Sequence, residues 1–265
     1  MSVAGATLDS GKESGVAELF RRDGVRSSLI WDVLREIASA RVAETGRPQL
    51  DITDVGGGTG GLAVPFAALG HAVTVVDPSP DALAAAQRRA DEAGARLTAV
   101  QGDAASLDSL VGTKAADLVI CHNVLEYVDS PVEAMAAIAA VLRPGATVSV
   151  LAGNTVAAVL HRAMAGRFTE ARLLLQSEGV RPGDDGAGPR RFTLPALTAL
   201  IEGAGLRAGE SHGLRIFSGL VPGALLEGDA GGAGGTEALR ALEEAAAVTP
   251  PLRDIAAQLH VLGHR

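Results

Sequence analysis

The chain has 265 residues, 47% apolar but only 3% aromatic, and its 23 basic and 31 acidic side chains leave a net charge of −8. That length can bury a sizeable aliphatic core, and the acidic balance argues against broad, non-specific binding of phosphate chains. A single cysteine, Cys121, excludes an internal disulfide framework and a CxxC metal site.

Residues 1–24, opening on a small, polar stretch, are expected to be a flexible N-terminal segment. They lack the charged-then-apolar order of a signal peptide, and no apolar run reaches spanning length, so a cytoplasmic protein without a membrane partner is expected. From Arg26 to about Arg41, apolar residues recur at Leu29, Ile30, Val33, Leu34, Ile37 and Ala38, the spacing of one helix face. Alternating units follow. "LDITDV", "HAVTVVD", "RLTAVQGD", "AADLVICHN" and "ATVSVLAGN" read as five strands, separated by helices over Gly61–Leu69, Asp81–Ala93 and Ser130–Leu142. Strands alternating with helices imply right-handed crossovers and a parallel sheet.

After Asn154 the rhythm changes. Residues 155–190 form a helical insertion that ends in the loop "RPGDDGAGPRR". A helix over Phe192–Ala204, a strand in "GLRAGESHGLRIFSG", a Gly-rich connector over 228–236, a helix over Glu237–Ala247 and a strand in "AAQLHVLGHR" complete the chain. The expected fold is therefore α/β: a Rossmann-like, doubly wound, seven-stranded, mostly parallel sheet with an antiparallel edge strand.

Gly56, Gly57, Gly58 and Gly60 occupy the turn from the first strand into the first crossover helix. In an open parallel sheet that turn faces the crevice where ligands bind, and glycine lets backbone N–H groups approach them. The run also satisfies G-x-G-x-x-G, so alone it does not separate a nicotinamide dinucleotide from S-adenosylmethionine. Asp77, ending the second strand, suits the ribose hydroxyls of either. Asp54 precedes the glycines to give Asp-x-Gly-x-Gly-x-Gly, and Asp103 closes the third strand where an adenine amino group would lie. The fourth strand ends in "DLVICHNVLEYV", and "VLRPGATVSV" leads into the fifth.

This ordered set resembles the class I S-adenosylmethionine-dependent methyltransferases over about residues 50–152. The departure at Ala146, where the family's turn has a second glycine, is small. The flanks "GVRSSLIWDVL", "NTVAAVLHRAMAGRF", "GLRIF" and "AAQLHVLGHR" extend the resemblance over roughly 20–265 to the bacterial tRNA 5-carboxymethoxyuridine methyltransferases, which esterify the carboxylate of a modified wobble uridine. The resemblance implies one cofactor-binding methyltransferase domain over 25–265, with S-adenosylmethionine as cofactor and S-adenosylhomocysteine as product. It assigns cofactor contacts to Arg26, Gly56, Gly57, Asp77, Gly102, Asp103 and His122. Where that family carries a lysine-rich run in its insertion, this chain reads "GDDGAGPRR".

A methyl group on a sulfonium is already activated, so catalysis is mostly positioning and no catalytic residue is assigned. A carboxylate nucleophile needs no general base, whereas a phenol or amine usually does; an obligatory catalytic histidine would therefore argue against a carboxylate acceptor. Asn154, His161, Arg162 and Arg215 are the candidates to face the acceptor. Asp54, Asp77 and Asp103 are taken by the cofactor, so no metal is expected. Three functions remain open: a tRNA carboxyl methyltransferase, a small-molecule O- or N-methyltransferase, and a nicotinamide-dependent oxidoreductase or silent cofactor-binding regulator. The last is disfavoured by "LRPG", by Asp103 and by the lack of a Tyr-x-x-x-Lys pair, Tyr127 being the one tyrosine.

Overall fold

The structure, a computed structural model, describes residues 28–176, 189–220 and 232–265. The expected N-terminal segment, Arg26 and most of the loop after the insertion lie outside these residues. Strand order is β3 (Leu97–Gln101), β2 (Ala72–Asp77), β1 (Asp51–Val55), β4 (Ala116–His122), β5 (Leu142–Gly153), β7 (Gln258–His264), β6 (Arg207–Leu214), the order of a doubly wound, Rossmann-like sheet. The antiparallel edge expected from the sequence is present. Strand β7 (Gln258–His264) runs antiparallel to both β5 (Leu142–Gly153) and the outermost β6 (Arg207–Leu214), between which it is inserted.

The chain divides into two compact units, residues 1–120 with 140–146 and residues 121–139 with 147–265; the division falls inside β4 (Ala116–His122) and β5. The first unit begins with α1 (Ser28–Thr45), whose Trp31 ring meets Phe66 of α2 (Ala63–Ala68) at a centroid distance of 4.8 Å. Strands β1 (Asp51–Val55), β2 (Ala72–Asp77) and β3 (Leu97–Gln101) pair in parallel, with Val55 opposite Val76 and Asp77 opposite Gln101. Helix α3 (Pro80–Glu92) starts where a helix should: Ser79 Oγ accepts the Ala82 N–H, proline stands in the first turn, and Leu83, Ala86 and Ala90 form the buried stripe. A short α4 (Leu107–Val111) precedes β4.

The same unit holds a buried charge centre at the amino-terminal ends of β1 and β4. Asp117 is 1% exposed and accepts hydrogen bonds from Arg41, Arg47, Arg143 and the Asp51 N–H. Burial acts to raise its carboxyl pKa, but the Asp51 N–H and the Arg47 and Arg143 guanidinium groups outweigh it, and the net shift is downward. The "LRPG" turn serves this centre. Arg143 reaches Asp117 and Asp51, Pro144 offers its carbonyl to Arg41, and Gly145 takes a left-handed φ of 75° where a Cβ would stand 2.7 Å from the Arg41 guanidinium.

In the second unit α5 (Pro131–Val141) precedes β5, and the insertion is two helices, α6 (Thr155–Met164) and α7 (Phe168–Gln176), rather than one. The break falls at Gly166, in left-handed conformation with φ 74°. Thr193 caps α8 (Leu194–Gly203), the expected helix before β6. Helix α9 (Gly232–Ala247) begins five residues ahead of the expected Glu237, so the latter part of the Gly-rich connector is helical. Its Glu243 carboxylate accepts the backbone N–H groups of Ile216, Phe217 and Ser218, holding the chain as it leaves β6.

Candidate cofactor site

In the first unit the turn after β1 is shaped by two buried acids. Gly56 and Gly58 adopt left-handed φ values of 64° and 54°, and the Gly56 N–H bonds the Val76 carbonyl at 2.7 Å, which lays the turn against the end of β2. A Cβ on Gly57 would stand 2.6 Å from the Asp54 carboxyl group, so only glycine passes over it. Asp54 is 4% exposed and accepts the Ala63 N–H at the start of α2. Burial, and secondarily the Asp77 charge, push its carboxyl up to about 7. Asp54 thus buttresses the turn from beneath, a different role from the ligand contact expected of it.

Asp77 lines the turn from the side. Its Oδ2 accepts the Gly58 N–H and its Oδ1 the Ser79 N–H, both at 2.9 Å, while its carbonyl accepts the Gly102 N–H at 3.2 Å. Each carboxylate oxygen keeps a second lone pair for a ligand hydroxyl. A Cβ on Gly58 would meet nothing nearer than 4.0 Å. Gly60, also left-handed at 79°, returns its N–H to the Gly57 carbonyl. Asp103 is exposed and caps the short 3-10 turn Ala104–Ser106 through Oδ1, leaving Oδ2 to a ligand. Open space over the loop, a ribose-type diol acceptor at Asp77 and a second acid at the end of β3 fit an adenosine group. Among the described residues no cluster of three or more histidines, cysteines or acids is arranged to hold a metal.

In the second unit His122 ends β4, and its Nε2 lies 2.7 Å from Ser149 Oγ. Burial drives its imidazole down to about 3, so the ring is neutral. Asn154 is fully buried. Its Oδ1 accepts the Val156 N–H as the cap of α6, and its Nδ2 donates to the carbonyls of Asp254 and Ala256. Those three bonds commit the amide to the fold, which favours the cap over the acceptor contact expected of it. His161 is exposed near the end of α6; Arg162 donates to the Ala158 carbonyl and lies 3.6 Å from Glu170. Arg215 is exposed, in left-handed conformation with φ 59°. A Cβ on Gly219 would contact both the His161 ring and the Arg215 carbonyl, so these two candidates meet in space.

Glu126 follows β4 in the stretch "VLEYVD". It is 5% exposed, with Oε1 accepting the Gly153 N–H at 2.8 Å and Oε2 buried without a partner among the described residues. Burial raises its carboxyl pKa, opposed by the Gly153 N–H and the Arg191 charge. Arg190 is 8% exposed and donates to the carbonyls of Leu125, Val128 and Asp129, pinning the segment after β4. Nothing local in "VLEYVD" or "GPRR" signals either burial.

A family model described as a methyltransferase domain matches residues 52–145. The ubiquinone biosynthesis O-methyltransferase of Xanthomonas axonopodis pv. citri (strain 306) is 31% identical over 182 residues, which cover 68% of this chain and 70% of that protein. The chain belongs to the class I S-adenosylmethionine-dependent methyltransferases, and S-adenosylmethionine is its cofactor. The tRNA 5-carboxymethoxyuridine methyltransferase of Escherichia coli (strain K12) is 30% identical over 166 residues, 58% of this chain. The match spans 60% of that relative's length. A solved S-adenosylmethionine-dependent methyltransferase from Thermotoga maritima superposes with a TM-score of 0.52 at 16% identity, covering 94% of this chain and 99% of that one, a likeness of fold.

Proposed function

We propose that the chain methylates an oxygen or nitrogen of a small acceptor. The bound cofactor supplies a methyl group on a positively charged sulfur; the protein's part is to hold and orient. In this reading Gly56, Gly57, Gly58, Gly60, Asp77, Gly102, Asp103 and Arg26 serve the cofactor, with Asp54 supporting the loop from below. His161, Arg162 and Arg215 are groups left to face the acceptor, and His122, which the resemblance gives to the cofactor, ends β4 and is open to a task there as well.

The observation that carries the small acceptor is the fate of the arginines around the insertion. Arg162 and Arg167 both lie against Glu170, at 3.6 and 3.5 Å. Arg190 is buried on backbone carbonyls. Phosphate contacts supply much of the affinity for a nucleic acid, and on a protein of net charge −8 Arg162 and Arg167 share the one Glu170 carboxylate while Arg190 is withdrawn from the surface. A second reading, esterification of 5-carboxymethoxyuridine in tRNA, is favoured by the 30% identity to the Escherichia coli enzyme over 166 residues.

Methyl-labelled S-adenosylmethionine separates the two. Purified protein is incubated with a tRNA pool carrying 5-carboxymethoxyuridine, a pool lacking it, and a panel of phenols and amines. Label is expected in the panel, with the Michaelis constant for anionic acceptors raised by Arg215→Ala. A nucleoside methyl ester formed only in the first pool would reverse the choice.

A further inference from the structure

Four side chains on four strands form an unbroken line within the second unit. His122 Nε2 lies 2.7 Å from Ser149 Oγ, Ser149 Oγ lies 2.7 Å from His260 Nε2, and His260 Nδ1 lies 3.1 Å from His212 Nδ1. The strands they stand on, β4, β5, β7 and β6, are consecutive in the sheet. His260 is paired with His212 on one side and with Leu151 on the other; Ser149, two residues before Leu151, shares its face. Ser149 and His260 are fully buried and His212 is 5% exposed. The His212 and His260 rings stack at 27°, and His122 meets His260 edge-on.

Proton counting restricts the line sharply. Each neutral imidazole carries one N–H and the hydroxyl one O–H. With the hydroxyl proton in the line, only two arrangements satisfy all three bonds. In one, His212 donates to His260, His260 to Ser149 and Ser149 to His122, which leaves His122 Nδ1 protonated and His212 Nε2 bare. In the other every bond is reversed, so that His122 Nδ1 is bare and His212 Nε2 protonated. The two interconvert when a proton enters at one end and another leaves at the opposite end, with no charge retained in the core. The groups facing His212 are Glu210 on its own strand, Arg253 just before β7, and His260. His260 faces His122 and His212. Glu210 is exposed, on the edge strand.

We propose that His122 accepts the proton of the methyl acceptor, and that Ser149, His260 and His212 are positioning residues that keep its Nδ1 bare and pass the proton to the β6 edge. The inference rests on the small-acceptor reading and narrows it to nucleophiles that carry a proton, phenols, enols or amines. The acceptor's O–H or N–H bond breaks as an N–H bond forms at His122 Nδ1, and the acceptor atom keeps the electron pair with which it takes the methyl group. Three protons then shift one link each, and His212 Nε2 releases its own to water beside Glu210. After the product leaves, His122 Nδ1 gives its proton to water, the three bonds reverse and His212 Nε2 takes a proton from water, which restores the starting arrangement. A carboxylate acceptor brings no proton and gives the line no task. His122 closes β4 at its carboxyl end, where ligands of open parallel sheets bind.

The first test needs no turnover. In protein labelled with nitrogen-15 at histidine, the nitrogen shifts of His122 report which of its nitrogens is protonated. Ser149→Ala and His212→Gln are expected to change that tautomer, and Ser149→Thr, which keeps the hydroxyl, to preserve it. On a phenol acceptor Ser149→Ala is expected to lower kcat by about a hundredfold with little change in KM. The loss should shrink for phenols acidic enough to arrive ionised. A His122 tautomer identical in all variants, or a loss independent of acceptor acidity, would overturn the relay while leaving the small-acceptor reading standing. Wild-type protein that methylates no phenol, enol or amine overturns that reading, and the proton's role with it.

Discussion

Asp54 shows how a single carboxyl group is placed for shape. Its folded pKa, about 7, lies above the unfolded value near 3.9, so the folded protein holds a proton that the unfolded chain gives up. The stability this group contributes is full below about pH 4 and is lost as the pH rises through about 7. Asp54→Asn keeps an oxygen for the Ala63 N–H and removes the titration. Urea unfolding between pH 5 and 8.5 is expected to show wild type losing stability across neutrality while the variant stays flatter; parallel curves would refute this account. The glycines and Asp77 were legible because spacing alone fixes their place at the end of a strand. The burial of Asp54 was not, since it depends on the Gly57 backbone passing so close that a Cβ there would stand 2.6 Å from its carboxyl group, a closeness no local pattern encodes.

At the scale of elements, the amino-terminal ends of β1 and β4 are joined by charge. Asp117, whose side chain is fully buried, gathers Arg41, Arg47 and Arg143. Removing one partner of a buried ion pair leaves the others uncompensated. Asp117→Ala is expected to cost about 3 kcal/mol in chemical unfolding, at the low end for such centres because Arg47 and Arg143 can turn to water; a cost under about 1 kcal/mol would place the network with ordinary surface pairs. "LRPG" was legible as a motif, yet its work for Asp117 was not, because the partners are brought together from 26 and 92 residues away. The polar line across β4 to β6 left a fainter signal. Thr147 and Ser149 alternate with valines on β5, and His260 and His264 are spaced by four on β7, so each pair shares a face. The register then sets Thr147 opposite His264, with Oγ1 and Nδ1 at 3.1 Å. Element types were read correctly almost throughout; the break at Gly166 is a local left-handed glycine turn, its N–H bonded to the Ala163 carbonyl, and the start of α9 falls five residues before the expected Glu237.

Over the whole molecule, histidine burial governs acid behaviour. Burial pushes His71, His122, His212, His260 and His264 downward. An unfolded chain takes up protons on these rings below about pH 6.5 that the folded chain refuses. Stability from this set is therefore complete above about 6.5 and is lost as the pH falls below it, opposite in sense to Asp54. The urea midpoint is expected to be highest near neutrality and to fall more steeply on the acid side, where several rings act together; equal midpoints at pH 5 and 7 would contradict the balance. The insertion of β7 between β5 and β6 has a consequence of another kind, for synthesis. Residues 258–264 leave the ribosome after both strands they bridge, so until then the nascent chain carries two open ladders of N–H and C=O groups. A pause in translation before Gln258 would prolong that exposure, making this the interval in which a chaperone is most needed.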